Sequence, residues 1–146
     1  MQTKELVKDI KQLAKENRDY VISLRRHFHQ YPELSMEEYE TSKKVKEELD
    51  KMGIEYRSAA NTGIIATIKG DKPGKTIALR ADMDALPMGE INDLSFKSKN
   101  DYGHTCGHDT HIAMLLGAAK LLKQYENELE GTVLLLFQPG EETLEG

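Results

Sequence analysis

The sequence predicts an α/β domain in which a mostly parallel sheet is flanked by helices. Three observations carry that reading. Apolar residues recur at helical spacing through the first fifty or so positions. Short β-rich runs bounded by turn residues follow them. A long apolar helix then leads into TVLLLF, a continuous apolar run suited to a central parallel strand. Helices, then strands, then a strand–helix–strand unit is the order of an α/β fold, with helices expected on both faces of the sheet.

The elements follow in order. Residues 4–29 read as one helix, with Leu6, Ile10, Leu13, Tyr20, Val21, Leu24 and Phe28 at mostly helical spacing. Tyr31-Pro32 ends it, because the residue before a proline avoids helical backbone angles. Ser35 and Glu38 have the spacing of a capping box, opening a second helix that runs to about Met52 and stops at Gly53. Strands are predicted at 54–57, 63–69 (GIIATIK) and 75–80 (KTIALR), separated by Asn61-Thr62-Gly63 and Asp71-Lys72-Pro73-Gly74. Asp109 or Thr110 caps a helix over 111–124, which is apolar nearly all round and so expected against a sheet. After the acidic turn 126–130 comes the strand 132–137. An α/β domain normally continues from such a strand into a covering helix. The 146 residues therefore read either as a compact small domain or, as we favour, as the front part of something larger.

Composition narrows the function classes. A hydrophobic share of 38% beside 31% charged residues is the balance of a soluble globular chain. No run approaches the ~18 apolar residues of a membrane span, and the mixed-charge N-terminus lacks the apolar stretch of a secretory leader. A net charge of −5 argues against nucleic acid as a partner. The single cysteine rules out a disulfide within the chain and suits a reducing, cytoplasmic setting.

Polar residues gather where open α/β sheets place their sites, at strand C-termini and helix N-termini. Asp82 and Asp84 follow KTIALR; two apart on an extended segment, they point the same way and could hold a metal or orient its ligands, with a solvated turn and a hydrogen-bonded aspartate the plainer reading of that pair alone. His104, Cys106, His108 and His111 open the apolar helix. Sulfur and imidazole nitrogen are donors that zinc-like ions accept, and a helix N-terminus favours the thiolate. The same segment also reads as a structural cysteine beside capping residues, or as a thiol nucleophile with His104 or His108 as base. Asp82, Asp84 and Asp109 count against the nucleophile, since nearby carboxylates raise a thiol's pKa unless a metal cancels their field. Glu141 and Glu142 stand at the mouth of TVLLLF, where buried carboxylates are costly without a cation. One could hold a metal while its neighbour, diverging from it, takes a proton from water; a helix-start acidic pair is the plainer alternative. His27 and His29 are too close in sequence to share a helix face, and neither is given a ligand role.

Four segments, RRHFHQYPELS, ALRADMDALP, HTCGHDTHIAMLLGAAKLL and LLLFQPGEE, occur in that order over most of residues 25–142. Together they resemble the M20 metallopeptidase family, nearest to its amidohydrolases of N-acyl amino acids, such as hippurate hydrolases and auxin–amino acid hydrolases. The resemblance implies Cys106, His108 and Glu142 as metal ligands and Glu141 as general base. It implies Asp84 as the aspartate that orients a ligand, with Asp82 standing where the wider superfamily has a histidine and so given no ligand role. Gly140 replaces the alanine usual before the glutamates, which suggests a looser backbone there. Two divalent ions per complete site are implied, from among Zn, Mn, Co and Ni. So are a small N-acyl amino acid substrate, no membrane or nucleic-acid partner, and a homodimer for the full-length enzyme. Residues 1–146 correspond on this reading to the N-terminal part of the catalytic domain, with the lid or dimerisation domain and two further histidine ligands beyond it. The isolated chain is then expected to be catalytically silent with at most weak metal binding; the alternative is a non-catalytic metal-binding or regulatory fragment.

Overall fold

The computed structural model describes residues 3–146, with side chains from Ile10 onward; the predicted core position Leu6 lies outside the described side chains. Three helices come first: α1 (Thr3–Glu16), α2 (Arg18–Gln30) and α3 (Tyr39–Met52). The hairpin β1 (Glu55–Ala59) and β2 (Gly63–Lys69) follows, then β3 (Lys72–Asp82), α4 (His108–Gln124), a short 3₁₀ turn at Glu126–Glu128, and β4 (Glu130–Gln138).

The predicted helix over 4–29 is two helices. At Asn17, which is buried, the side chain donates to the carbonyl of Gly117 (3.2 Å) and so pins the junction to α4. α1 lends no buried side chain among those described, and Ile10 is exposed.

The capping box is also corrected. α3 starts at Tyr39 with no side-chain cap from Glu38. Its first free N–H groups, on Glu40 and Thr41, are taken by the Glu33 carboxylate at 3.0 and 2.7 Å. Ser35 and Glu38 are drawn away to longer-range partners described below. The C-terminus is as predicted: Gly53 closes α3 in the left-handed conformation.

The four strands form one sheet in the order β1-β2-β4-β3. The sheet is mixed rather than mostly parallel: β1 with β2 and β2 with β4 are antiparallel, and only β3 with β4 is parallel. Connection length explains it. Ala60 and Asn61 both have positive φ and turn β1 tightly into β2, and such short loops join only antiparallel neighbours. The crossover through α4 makes β3 and β4 parallel. Ile64, Ala66 and Ile68 of β2 and Val133, Leu135 and Phe137 of β4 pack in one core with Leu24, Phe28, Val45, Leu49, Ile112 and Leu116 from the helices. Among the described residues the helices thus gather on one face of the sheet. The alternate positions Ile65, Leu134 and Leu136 on the other face are only half-buried. β3 is an edge strand that leaves Ile77 exposed. No helix among the described residues is long and apolar enough to cross a membrane.

α4 begins at His108, earlier than the predicted caps Asp109 and Thr110. Gly107, at φ +95°, occupies the position before the helix. The Thr110 hydroxyl donates back to the Gly107 carbonyl at 2.6 Å. Starting there puts His108 and His111 on one face of the first turn.

Candidate metal centre

β3 and β4 run side by side and end together, with Asp82 opposite Gln138 and the Met83 N–H donating to the Gln138 carbonyl at 2.9 Å. Beyond them lie Asp84 and the Glu141-Glu142 pair, and the N-terminus of α4 points at the same spot.

His108 is the hub. It is buried, and its Nδ1 donates to the Asp84 carbonyl (2.9 Å) with a longer contact to Asp84 Oδ1 (3.2 Å). A carbonyl can only accept, so the ring proton sits on Nδ1 and Nε2 is left to face the site. Nε2 lies 3.6 Å from Glu141 Oε2, 3.9 Å from Glu142 Oε1 and 4.0 Å from Asp82 Oδ2. Burial would lower the His108 pKa, but the bonds to Asp84 and the field of Asp82 outweigh it and raise it. Asp84 is fully buried; its Oδ2 accepts from the Ser35 hydroxyl (2.7 Å) and the Glu142 N–H (2.9 Å). Burial pushes its carboxyl upward, yet the donors from His108, Ser35 and Glu142 win and hold it at about 2.

Two sets of donor atoms converge, each within 4.8 Å: Cys106, His108 and Glu142, and Asp82, His108 and His111. They share one imidazole. Within the first set, Glu142 Oε1 is buried without a hydrogen-bond partner. Cys106 is exposed, and its thiol is pushed up by Glu142 first, then by burial and by Glu141 and Asp82. The expected thiolate-favouring pull of the helix N-terminus is outweighed by these carboxylates. That field also disfavours a thiol nucleophile, and His104, a candidate base, is buried with neither ring nitrogen hydrogen-bonded, its pKa lowered by burial to about 4. A divalent cation fits this donor set. It would occupy the orphaned carboxylate oxygen, favour the thiolate, and accept sulfur, nitrogen and oxygen together.

Cys106, His108 and Glu142 are thus brought together. Asp84 stands behind His108 and belongs to neither donor set, and Glu141, about a third exposed, lines the opening. His111, half-exposed, has Nδ1 3.4 Å from Asp82 Oδ2, and Asp82 is also engaged by Arg80 (Nε to Oδ1, 2.8 Å). Beside them a groove of about 450 Å³ is lined by Leu79, Arg80, Asp82, His111, Met114, Leu115 and Ala118.

Sequence reasoning missed Ser35 and Glu38 as site supports. Glu38 is fully buried and takes the N–H groups of Met36 (3.0 Å) and Gly140 (2.8 Å) and the Thr62 hydroxyl (2.5 Å). Gly140 is therefore held rather than loosened. It sits at φ +58°, and a Cβ there would meet Met36 Sδ at 2.8 Å, so glycine suits both angle and space. The role of His111 was signalled only by its three-residue spacing from His108, which becomes informative once α4 is known to start at His108.

A sequence profile of the peptidase family M20/M25/M40 matches residues 78–146. Thermostable carboxypeptidase 1 of Saccharolobus solfataricus is 51% identical over 141 residues, covering 94% of this chain and 36% of that protein. Residues 78–146, just under half of the chain, thus match the M20 peptidase family, and the likeness to M20 relatives extends over most of the chain. The N-acyl-L-amino acid amidohydrolase of Geobacillus stearothermophilus is 44% identical over 140 residues, covering 94% of this chain and 38% of the relative. Among solved structures, YXEP of Bacillus subtilis, a dinuclear metal binding peptidase, superposes with a TM-score of 0.81 at 45% identity, over 90% of this chain and 36% of that one. The chain thus spans little more than a third of the length of the relatives it matches.

Proposed function

We propose that residues 1–146 form the first part of the catalytic domain of a metal-dependent amidohydrolase that cleaves N-acyl amino acids to a carboxylic acid and a free amino acid. The observation that carries this reading is the orphaned Glu142 Oε1, facing Cys106 and His108 within 4.8 Å. Names of relatives such as the amidohydrolase of Geobacillus stearothermophilus support the substrate class. Cys106, His108 and Glu142 would hold a divalent ion, and Zn, Mn, Co and Ni all suit such donors. When bound, such an ion supplies Lewis acidity, polarising a carbonyl and acidifying water.

The chain's own residues do the rest. Asp84 keeps the proton of His108 on Nδ1 and so presents Nε2 as a donor. Glu141, with an accessible carboxylate beside His108 Nε2, takes a proton from attacking water and returns it to the leaving amine. Met114, Leu115 and Ala118 give the adjoining groove an apolar wall for an acyl or side-chain group. A second ion, two further histidine ligands, a lid or dimerisation domain and a homodimer complete the enzyme in this proposal, which places it in the cytoplasm. On its own the 146-residue chain is catalytically silent and binds metal weakly, because positioning of the substrate is incomplete.

The test is a hydrolysis assay of the full-length protein on a panel of N-acetyl, N-benzoyl and indole-acyl amino acids, with and without chelator, beside metal titration of the 146-residue chain. Chelator-sensitive release of amino acid is the expected result. Turnover by the full-length protein that survives removal of all metal would overturn the proposal, and chelator-sensitive turnover by the 146-residue chain would show that these residues suffice.

A further inference from the structure

Between β3 and α4 the chain makes a long irregular excursion that ends in Cys106, and its path is fixed against the C-terminal end of α2. The Lys99 N–H donates to the Gln30 carbonyl (3.0 Å), and the Asn100 side chain donates to the Pro32 carbonyl (2.9 Å). Phe96 lies under the guanidinium groups of Arg25 and Arg26, at 5.2 and 4.9 Å, with the His29 ring edge-on at 5.6 Å. At the centre of this contact His29 stands between two carboxylates. Its Nδ1 is 2.6 Å from Asp109 Oδ2, and its Nε2 is 3.1 and 3.2 Å from the oxygens of Glu90.

All three side chains are nearly buried. Ionised carboxylates only accept hydrogen bonds, so each ring nitrogen must donate, and the ring that satisfies both is the imidazolium. Arg25 Nε adds a second cation to Asp109 at 3.0 Å, and the Ser98 N–H donates to Glu90 at 2.9 Å. Asp109 directly follows His108, and Glu90 lies within the excursion that closes at Cys106. One charged ring therefore ties the helix turn presenting the nitrogen donor to the loop presenting the sulfur donor.

We propose that His29 is a positioning residue of the metal centre, acting as an imidazolium clamp between Asp109 and Glu90 that sets Cys106 against His108. The inference rests on the metal-centre reading above, and it gives a role to a histidine that touches neither donor set.

The experiment compares the full-length protein with its His29→Ala variant. In the metal-free state, amide exchange at Ser98 and Lys99 should accelerate about tenfold or more while exchange in β2 and β4 stays as it was. Imidazole added to the buffer should restore much of the protection by occupying the emptied space. With Co²⁺ as probe, the thiolate-to-metal absorption should weaken and the Kd rise about tenfold or more, the usual scale for losing a group that orients a ligand. Glu90→Gln, which leaves α2 untouched, repeats the test should His29→Ala fail to fold, with the same directions expected. Unchanged Ser98 exchange, or cobalt absorption and affinity at wild-type levels, overturns the clamp. A wild-type protein that shows the cobalt–thiolate absorption but hydrolyses no N-acyl amino acid overturns the functional reading and leaves the clamp standing. A wild-type protein without that absorption overturns both.

Discussion

Glu38 and Glu142 are carboxylates close to the same loop after β4, and they are treated in opposite ways. Glu38, fully buried, accepts from three donors: the N–H groups of Met36 and Gly140 and the hydroxyl of Thr62. Glu142, partly open, keeps a buried Oε1 with no donor at all, beside a thiol whose pKa it raises. A buried oxygen without a partner costs about 1–3 kcal/mol. The first carboxylate is a structural fastener between α3, the β1–β2 turn and the loop after β4. The second leaves an acceptor for something positively charged. Burial alone does not separate these two acids; the completeness of their partners does.

The largest effect should come from breaking the fastener. Glu38→Ala leaves three donors facing a void and should lower stability by about 3 kcal/mol or more in urea denaturation. A loss below about 1 kcal/mol would remove the distinction between the two acids. Next comes Glu141→Gln in the full-length protein, which should cut turnover of N-acyl amino acids about a hundredfold, near 2.7 kcal/mol, with metal content unchanged. Retained activity would take Glu141 out of the proton-transfer role. Glu142→Gln should weaken Zn²⁺ or Mn²⁺ binding about tenfold or more by titration calorimetry, while metal-free stability moves by no more than about 0.5 kcal/mol. A large loss of metal-free stability would make Glu142 a second fastener.

A smaller effect sharpens the comparison from the helix layer. Burial would raise the Glu48 carboxyl, but bonds from Lys51, Lys44 and Tyr20 outweigh it and hold it at about 2 against an ordinary 4.5. With the folded value depressed, the stability it contributes is present above about pH 4.5 and is lost as pH falls toward 2. Glu48→Gln should flatten that part of the acid limb by about 1 kcal/mol, after discounting the exposed Lys51. It is read from urea midpoints across that range, and an unaltered slope would mean the pairs contribute nothing.

What was legible in the sequence was local. Helical and strand periods, the stop at Gly53 and the bounds of β2 come from neighbours a few residues apart. The four polar clusters were legible because each is contiguous in sequence. What escaped was set by distant partners. Asn17 interrupts the first helix for a carbonyl on α4, Ser35 abandons a cap for Asp84, and Glu38 reaches Gly140. Strand direction escaped too, since an apolar run looks alike in either sense; the turn at Ala60-Asn61 reverses β1 into β2, and the short Gly70-Asp71 connection reverses β2 into β3, to which β4 is parallel. His29 was passed over because Glu90 and Asp109 lie far along the chain, and its own neighbours carry no sign of them.

β4 comes last among the strands in the chain yet lies second from the β3 edge, between β2 and β3. Only Gly70 and Asp71 separate those two strands in sequence, but they never pair with each other. During synthesis the hairpin of β1 and β2 can close early, whereas β3 must wait, its ladder groups unsatisfied, until residues 130–138 emerge and insert. Non-local pairing of this kind is slow, and the waiting strand is vulnerable to the wrong neighbour. The same insertion delivers Glu141 and Glu142 to Asp84 and His108. Completion of the sheet and assembly of the donor cluster are thus a single late event, so a chaperone that shields β3 protects the chemistry as well as the fold.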